Sequence, residues 1–582
     1  MVRAQAVRRR WIVPVSCSLR FLAVLVVAAL PSHLFAADPA ATVKERLAAG
    51  EFGPALAAAG AVDDRAKRDG LLGDIAAAQA GVGARRASLE TAYDISSDLA
   101  RKKALDLTRS QGSTLSGARG GGVIADFDSL IDLITQTVAP QSWDDVGGPG
   151  SIEGFDGGVF VDPRGVLKKF ALQTDRSLIA VRRSALQATG SSDPRRKSFL
   201  RKISLTRLER EVQLLHALGR KPDEAMQTLA GLVRIKYVLV YPETGDIVLA
   251  GPAGNWRRDV EGRFVDAEQG RPVVNLDDLV VTLRNAYNER SRFGCSITPR
   301  KANLAAAQAV NDKWSQQPLR PGQRDKWLAE FQSAVGRQDI GVYGIDPRTR
   351  AAHVLVEADY RMKLVGLGLE EGTLGVKSYL DGVQLGADGK PPAMNVLRWW
   401  FALNYDAMTA TEGRDAFELH GSGVKVLSEN EMLTEQGERV HTGGSDELTS
   451  GFAASFTKHF ETLAVKYPVY ADLRNIFDLS LVAAVMQSHD LPGQVGWHMT
   501  HFGPDGAYVP ELGVAPSEVD SVLNHKVIAG KHVIAAVSGG VTVDARGVGS
   551  RQAVKNDTYG HVAADRSAST PKDLPRRAWW WD

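Results

Sequence analysis

The chain has 582 residues, 44% of them hydrophobic and 24% charged, a balance that excludes a wholly disordered polypeptide and provides core for roughly three or four domains. Its formal net charge of +2 excludes a strongly basic nucleic-acid binder, and two cysteines exclude a disulfide-rich scaffold.

Residues 1–37 read as a signal peptide: Arg8, Arg9 and Arg10 precede an apolar run from Phe21 to Leu30, and small residues follow at Ala36 and Ala37. The run is shorter than the roughly 20 residues a membrane span requires, and no later segment does better. The expected localisation is therefore extracytoplasmic, periplasmic or secreted, with no transmembrane segment after signal removal. Removing residues 1–37 takes away five arginines and no acid, so the charge falls from +2 to −3 and support for nucleic-acid or anionic-membrane partners goes with it. Only Cys295 then remains, in FGCSI, where it reads as a small buried hydrophobe.

Residues 38–110 are alanine-rich and read as short packed helices, and 111–122 (QGSTLSGARGGG) as a Gly/Ser linker. A small α/β module is expected over 123–165. In it Asp126 and Asp128 precede a helix striped by Leu130, Leu133, Ile134 and Val138, and Trp143, Asp144 and Asp145 offer an edge for partner docking or, in Trp143's case, a plug for the module's core. The sequence DSLIDLI followed by SWDDVGGPGSI resembles segments of secreted planctomycete proteins, some with secretin-like domains; the resemblance implies a role in envelope assembly. FVDPRGVL ends the module as a hairpin with a type I turn.

The central domain is expected over 166–390. Arg195 to Leu218 reads as a basic amphipathic helix, its charges a solvated face. In RIKYVLVYPETGDIVLAGP, strands at Tyr237–Tyr241 and from Ile247 flank a turn, and neither strand alternates to polar, which predicts packing on both faces. Asn275 caps a helix striped by Leu276, Leu279, Val280, Leu283 and Tyr287; a strand through Cys295 and two helices, from about Pro299 to Trp314 and from Gln323 to Val335, follow. The Asp-Pro-Arg turn returns at Asp346, Pro347 and Arg348 and predicts a third hairpin running into VLVEADYRMKLVGLGL. Gly366, Gly368 and Gly372 are spaced wrongly for a dinucleotide-binding turn. KYVLVYPETGDIVLAGP, GRPVVNLDDLVV, GCSITP and VLVEADYRMKLVGLGLE resemble the domain-of-unknown-function family numbered 1598, found in secreted planctomycete proteins, over roughly residues 155–561. That resemblance implies no activity, cofactor or catalytic residue.

Residues 391–550 are expected to hold a helix at Asn395–Met408 with Trp399 and Trp400, a hairpin FELHGSGVKVL with Ser422 in its turn, and a helical hairpin broken at Pro468. The polar tail, 551–582, ends in Trp579, Trp580 and Trp581, frayed or docked on a partner. The best chemical candidates are His489, His498 and His501 with Asp490 and Asp505; His498 and His501, three apart, suit one metal ion if the segment turns tightly, against the simpler reading of a histidine-rich loop. The fold class expected is α+β, with several β-hairpins in mixed or antiparallel sheets packed by helices and a small helical region in front. The function expected is a non-enzymatic binding or assembly component of the cell envelope with a protein or other envelope partner and no cofactor identified; the alternative is a metal-dependent hydrolase using His489, His498 and His501.

Overall fold

The structure, a computed structural model, describes residues 39–117, 151–155, 158–162, 193–289, 291–315, 322–384, 396–404, 408–433, 439–528, 531–546, 554–557, 560–575 and 577–582. It divides into two compact units, 1–61 and 62–582. In the first, α1 (Pro39–Ala48) and α2 (Phe52–Gly60) bury Val43, Ala55 and Ala59.

The second unit opens with α3 (Arg65–Gly81), α4 (Arg85–Tyr93) and α5 (Asp98–Gly117). Asp64 caps α3 by accepting from the Lys67 N–H, and Leu71, Leu72, Ile75, Leu89 and Ala92 pack inward. Helix α5 continues to Gly117, through the first half of the stretch expected to be a linker. A separate antiparallel pair follows, β1 (Ser151–Phe155) with β2 (Gly158–Asp162).

The chain then runs through β3 (Ser198–Ser204), α6 (Leu205–Ala217), α7 (Glu224–Gln227), β4 (Tyr237–Tyr241), β5 (Asp246–Ala253), β6 (Trp256–Arg258), β7 (Phe264–Asp266) and α8 (Leu276–Ala286). Next come β8 (Arg292–Pro299), α9 (Lys301–Ser315), α10 (Gln323–Val335), β9 (Arg337–Tyr343), α11 (Arg350–Gly366) and α12 (Tyr379–Gly382). The last part contains β10 (Val396–Leu403), β11 (Met408–Ala410), β12 (Ala416–Leu419), β13 (Val424–Leu433), β14 (Arg439–His441), α13 (Glu447–Lys458), α14 (Phe460–Lys466), α15 (Pro468–Ser488) and α16 (Leu491–Val495). It closes with β15 (Glu518–Asp520), β16 (Leu523–Ile528), β17 (Lys531–Asp544), β18 (Lys555–Asn556), α17 (His561–Ala568) and β19 (Trp580–Trp581).

Two large sheets organise these elements, so the class is α+β as expected. One has the order β14-β13-β10-β17-β8-β9-β15, with β16 also on β17; the other runs β18-β11-β12-β4-β5-β3-β19. Among the described strands, only β10–β17 and β11–β18 pair in parallel. The β4–β5 hairpin forms where its punctuation predicts, with Leu239 opposite Val248, and both faces are buried: Val238, Val240, Ile247 and Leu249 in the main core, Tyr237, Leu239, Tyr241 and Val248 in a second cluster. Helix α15, started by Pro468, is buried from Val469 to Met486 on every side, which is why its sequence shows little amphipathic contrast. Its buried charges are paired: Asp472 with Arg350, which also holds Asp278, and Arg474 with Glu461 at 2.7 Å.

Several expectations give way. Of the helix expected over 395–408, residues 396–403 are a strand instead: β10 sends Leu397, Trp399, Phe401 and Leu403 into the core at a period of two. The third hairpin is instead a strand followed by α11. Thr349 caps this helix by accepting from the Ala352 N–H, Asp346 accepts from the Arg348 N–H at 2.9 Å, and Ala351, Leu355, Ala358, Met362 and Val365 recur at helical spacing. FELHGSGVKVL is no hairpin either, since β12 joins one large sheet and β13 the other; Gly421, at φ 68°, helps turn the chain between them.

The first half of the basic stretch Arg195–Leu218 is β3. Arg201 there is wholly buried, with its Nε 2.6 Å from Asp582 Oδ1, so it does not belong to a solvated helix face. Trp580 and Trp581 pair with Ile203 and Lys202, and Trp579 is buried, so the terminal tryptophans dock on this chain itself. For FVDPRGVL, β2 pairs with the preceding β1; the expected turn lies outside the described residues from position 163 onward. So do the expected signal peptide and the helix striped by Leu130 and Leu133. No described helix is long and apolar enough to cross a membrane.

Candidate functional site

The histidine-rich segment follows α15. His489 caps that helix, Asp490 adopts φ 49° and caps α16 by accepting from the Gly493 N–H, and Gly496 at φ 66° ends the turn. The irregular, turn-forming segment beyond, from Trp497, is tied to α5 and α6 by polar contacts. Glu209, wholly buried on α6, accepts from Trp497 Nε1 at 2.5 Å and from the backbone N–H groups of His501 and Phe502 at 2.7 and 2.8 Å. Burial raises the Glu209 carboxyl and these donors oppose the rise. Asp98, on α5, accepts from the His498 backbone N–H at 2.6 Å and faces His498 Nδ1 at 2.7 Å.

The neighbouring imidazoles are ordered by a donor chain. A guanidinium only donates, so Arg109, 3.2 Å from His216 Nε2, makes that nitrogen an acceptor. His216 Nδ1 then carries the proton and donates to His501 Nε2 at 3.1 Å. Burial, reinforced by His216, pushes His501 down to about 4 from 6.5, so it is neutral at pH 7.

The three predicted histidines therefore take different partners. His489 is buried against the Phe417 ring, centroids 5.1 Å apart; His498 sits on Asp98; His501 sits on His216. Trp143, Asp144 and Asp145 lie outside the described residues. Cys295 is buried in β8, and burial pushes its thiol up, away from a reactive thiolate. Ser422 donates to the Val424 carbonyl at 3.2 Å, and the nearby His420 faces Thr409 at 2.8 Å.

Two features that the sequence did not single out have site-like geometry. One is a cleft of about 420 Å³ between α8, the turn from Gly344 to Thr349, and the segment 506–512. Val281, Ile345, Val509, Pro510 and Leu512 give it apolar walls. Arg284 shapes its floor by donating to the carbonyls of Gly503, His501, Gly506 and Tyr508 at 2.7–3.2 Å. Tyr508 donates to Asp277 at 2.6 Å, and Gly513 N–H to the Arg348 carbonyl at 2.8 Å, so both walls are fixed to helix starts. Of its apolar lining residues, Val509 and Leu512 are exposed.

The other is Glu429, Glu431 and His441, which present ligand atoms all within 4.8 Å of one another, the one such group of three or more His, Cys, Asp or Glu residues found among the described residues. Its sequence signal is the Glu-Asn-Glu spacing on a strand, which puts both carboxylates on one face, followed by a return strand carrying His441. The pairing of β13 with β14 sets Glu431 opposite His441, a register no local pattern announces.

No curated protein and no solved structure matches the chain. Residues 295–379, from β8 to the start of α12, are similar to the family described as "Protein of unknown function (DUF1598)", a narrower span than the resemblance over 155–561 implied.

Proposed function

We propose that this protein is a non-enzymatic binding component of the cell envelope, exported by its N-terminal segment, and that the cleft beside α8 receives an apolar side chain of a protein partner. One observation carries this reading: a cleft of about 420 Å³ with apolar walls has Val509 and Leu512 exposed among its lining residues. Exposed apolar groups at the mouth of a preformed pocket suit recognition of another protein. The polar groups of the cleft are occupied in holding its shape: Arg284 on four carbonyls, Asn285 on the Gly344 carbonyl at 2.8 Å, and Thr349 on that of Asp346 at 2.7 Å. Selection there falls to shape and apolar contact.

The test is a photo-crosslinking residue placed at position 509 in the full chain expressed in its own cell envelope, with position 260, an exposed valine that does not line the cleft, as control. A discrete adduct from 509 that disappears when Leu512→Asp is added is expected. Identical adduct patterns from both positions would overturn the reading, as would recovery of the protein in the cytoplasmic fraction.

A further inference from the structure

We propose that Glu429, Glu431 and His441 form a binding site for one divalent transition-metal ion of the zinc class. The three residues converge because of strand parity and register. Glu429 and Glu431 are two apart on β13 and share a face, and the antiparallel return of β14 sets His441 directly across from Glu431. Both carboxylates are buried, while the imidazole is exposed, so the group opens to solvent on the histidine side.

The distances suit a shared ion as well as a hydrogen bond. His441 Nδ1 lies 3.2 Å from Glu429 Oε2 and 3.2 Å from Glu431 Oε1. One N–H on that nitrogen can point at only one carboxylate oxygen well. Ligands about 2.1 Å from a tetrahedral zinc ion stand about 3.4 Å apart, close to both separations. Two carboxylates and one imidazole would fill three corners and leave the fourth to water, the arrangement of an open site rather than a closed structural one.

The surroundings orient these ligands. The Gly443 N–H donates to Glu429 Oε1 at 3.0 Å, leaving Oε2 toward His441, and Ser538 Oγ stands 3.4 Å from Glu431 Oε2, its one proton shared between that oxygen and the Leu397 carbonyl, with Oε1 toward His441. Such outer contacts fix which oxygen is offered to an ion. Arg398 is the competing cation, with Nη1 2.8 Å from Glu429 Oε2 and Nε 3.8 Å from Glu431 Oε1. It is partly exposed, so its head can turn toward solvent when an ion takes the oxygens, with the Trp400 ring 4.4 Å away as an alternative partner.

The experiment is calorimetric titration of the chelator-stripped full chain with Zn²⁺, repeated with Mn²⁺ and Mg²⁺. One Zn²⁺ per chain is expected, with Mg²⁺ much weaker because imidazole is a poor ligand for it. His441→Ala should weaken Zn²⁺ at least about tenfold without altering the circular dichroism spectrum, and Arg398→Gln should tighten it. His498→Ala should leave it unchanged. Absence of Zn²⁺ binding overturns the proposal, and so does binding that His441→Ala leaves intact or that His498→Ala abolishes. Glu431→Gln is a secondary variant, since this buried residue affects folding; exposed His441 keeps the test decisive.

Discussion

Two carboxylate–histidine clusters in this molecule differ in where their lone pairs go. Around Glu209 both oxygens are taken by buried N–H donors, and the histidines beside it are locked by Asp98, His216 and Arg109. At Glu429 and Glu431 one oxygen of each instead faces the same exposed imidazole nitrogen. The first cluster staples the segment after α16 to α5 and α6; the second leaves a point where three ligand atoms meet. Residue type alone does not distinguish them: around Glu209 the donors on the carboxylate are buried and fixed, whereas at Glu429 two of the donors, Arg398 and His441, are partly or largely exposed and so can be displaced.

That contrast can be broken by experiment. The largest effect is expected from Glu209→Ala, which strands the Trp497 indole N–H and two backbone N–H groups in the interior; a loss of about 3–5 kcal/mol in urea unfolding is expected. A loss below about 1 kcal/mol would mean that water reaches those donors and that the staple is not closed.

A pH series probes the same cluster. His501 is depressed to about 4 from 6.5, so the stability it contributes is present above 6.5 and is lost as pH falls through about 4, up to about 3 kcal/mol. Asp278 and Asp478 act in the opposite sense. Burial raises both to about 7 from 3.8, so their contribution is present below 3.8 and fades as pH rises through about 7. The difference between wild type and His501→Gln isolates the histidine: the gap in unfolding free energy should change between pH 6.5 and 4 and stay flat above. A constant gap would show that folding leaves the His501 pKa where it stands in the unfolded chain.

Smaller effects follow at the exposed rings. His498→Ala breaks a half-exposed contact with Asp98 and should cost no more than about 1 kcal/mol in thermal or urea unfolding, because water screens the pair. His441→Ala should change stability by only about 0.5 kcal/mol while removing Zn²⁺ binding, which separates the second cluster from the first more sharply than any stability measurement. If His441→Ala destabilised the protein as much as Glu209→Ala, the two clusters would have the same structural role.

How much was legible depended on how locally each element is specified. The β4–β5 hairpin carries its own turn between two β-branched runs, and α8 carries its own cap at Asn275 with acids in the first turn; both stand where expected. The stretch around Trp399 and Trp400 is apolar on both faces, so periodicity does not choose between helix and strand; pairing with β13 and β17 does. Residues 350–366 contain Val354 and Val356, which suggest a strand, yet the Thr349 cap and burial of nearly every face make a helix there. The histidines at 489, 498 and 501 were conspicuous in the sequence, but their partners come from α5, α6 and β12, hundreds of residues upstream for Asp98 and His216.

The sequence by itself determined the α+β class, the N-terminal helices, the central hairpin and the helical pair around Pro468, because caps, turns and apolar periods act over a few residues. Tertiary structure alone decided that Arg201 meets Asp582, that the terminal tryptophans extend the sheet through β3, and that Glu429, Glu431 and His441 face one point. Those arrangements depend on register between strands and on contacts between distant parts of the chain. A one-residue slip would turn each side chain to the opposite face, and no short-range pattern of residues records which register holds.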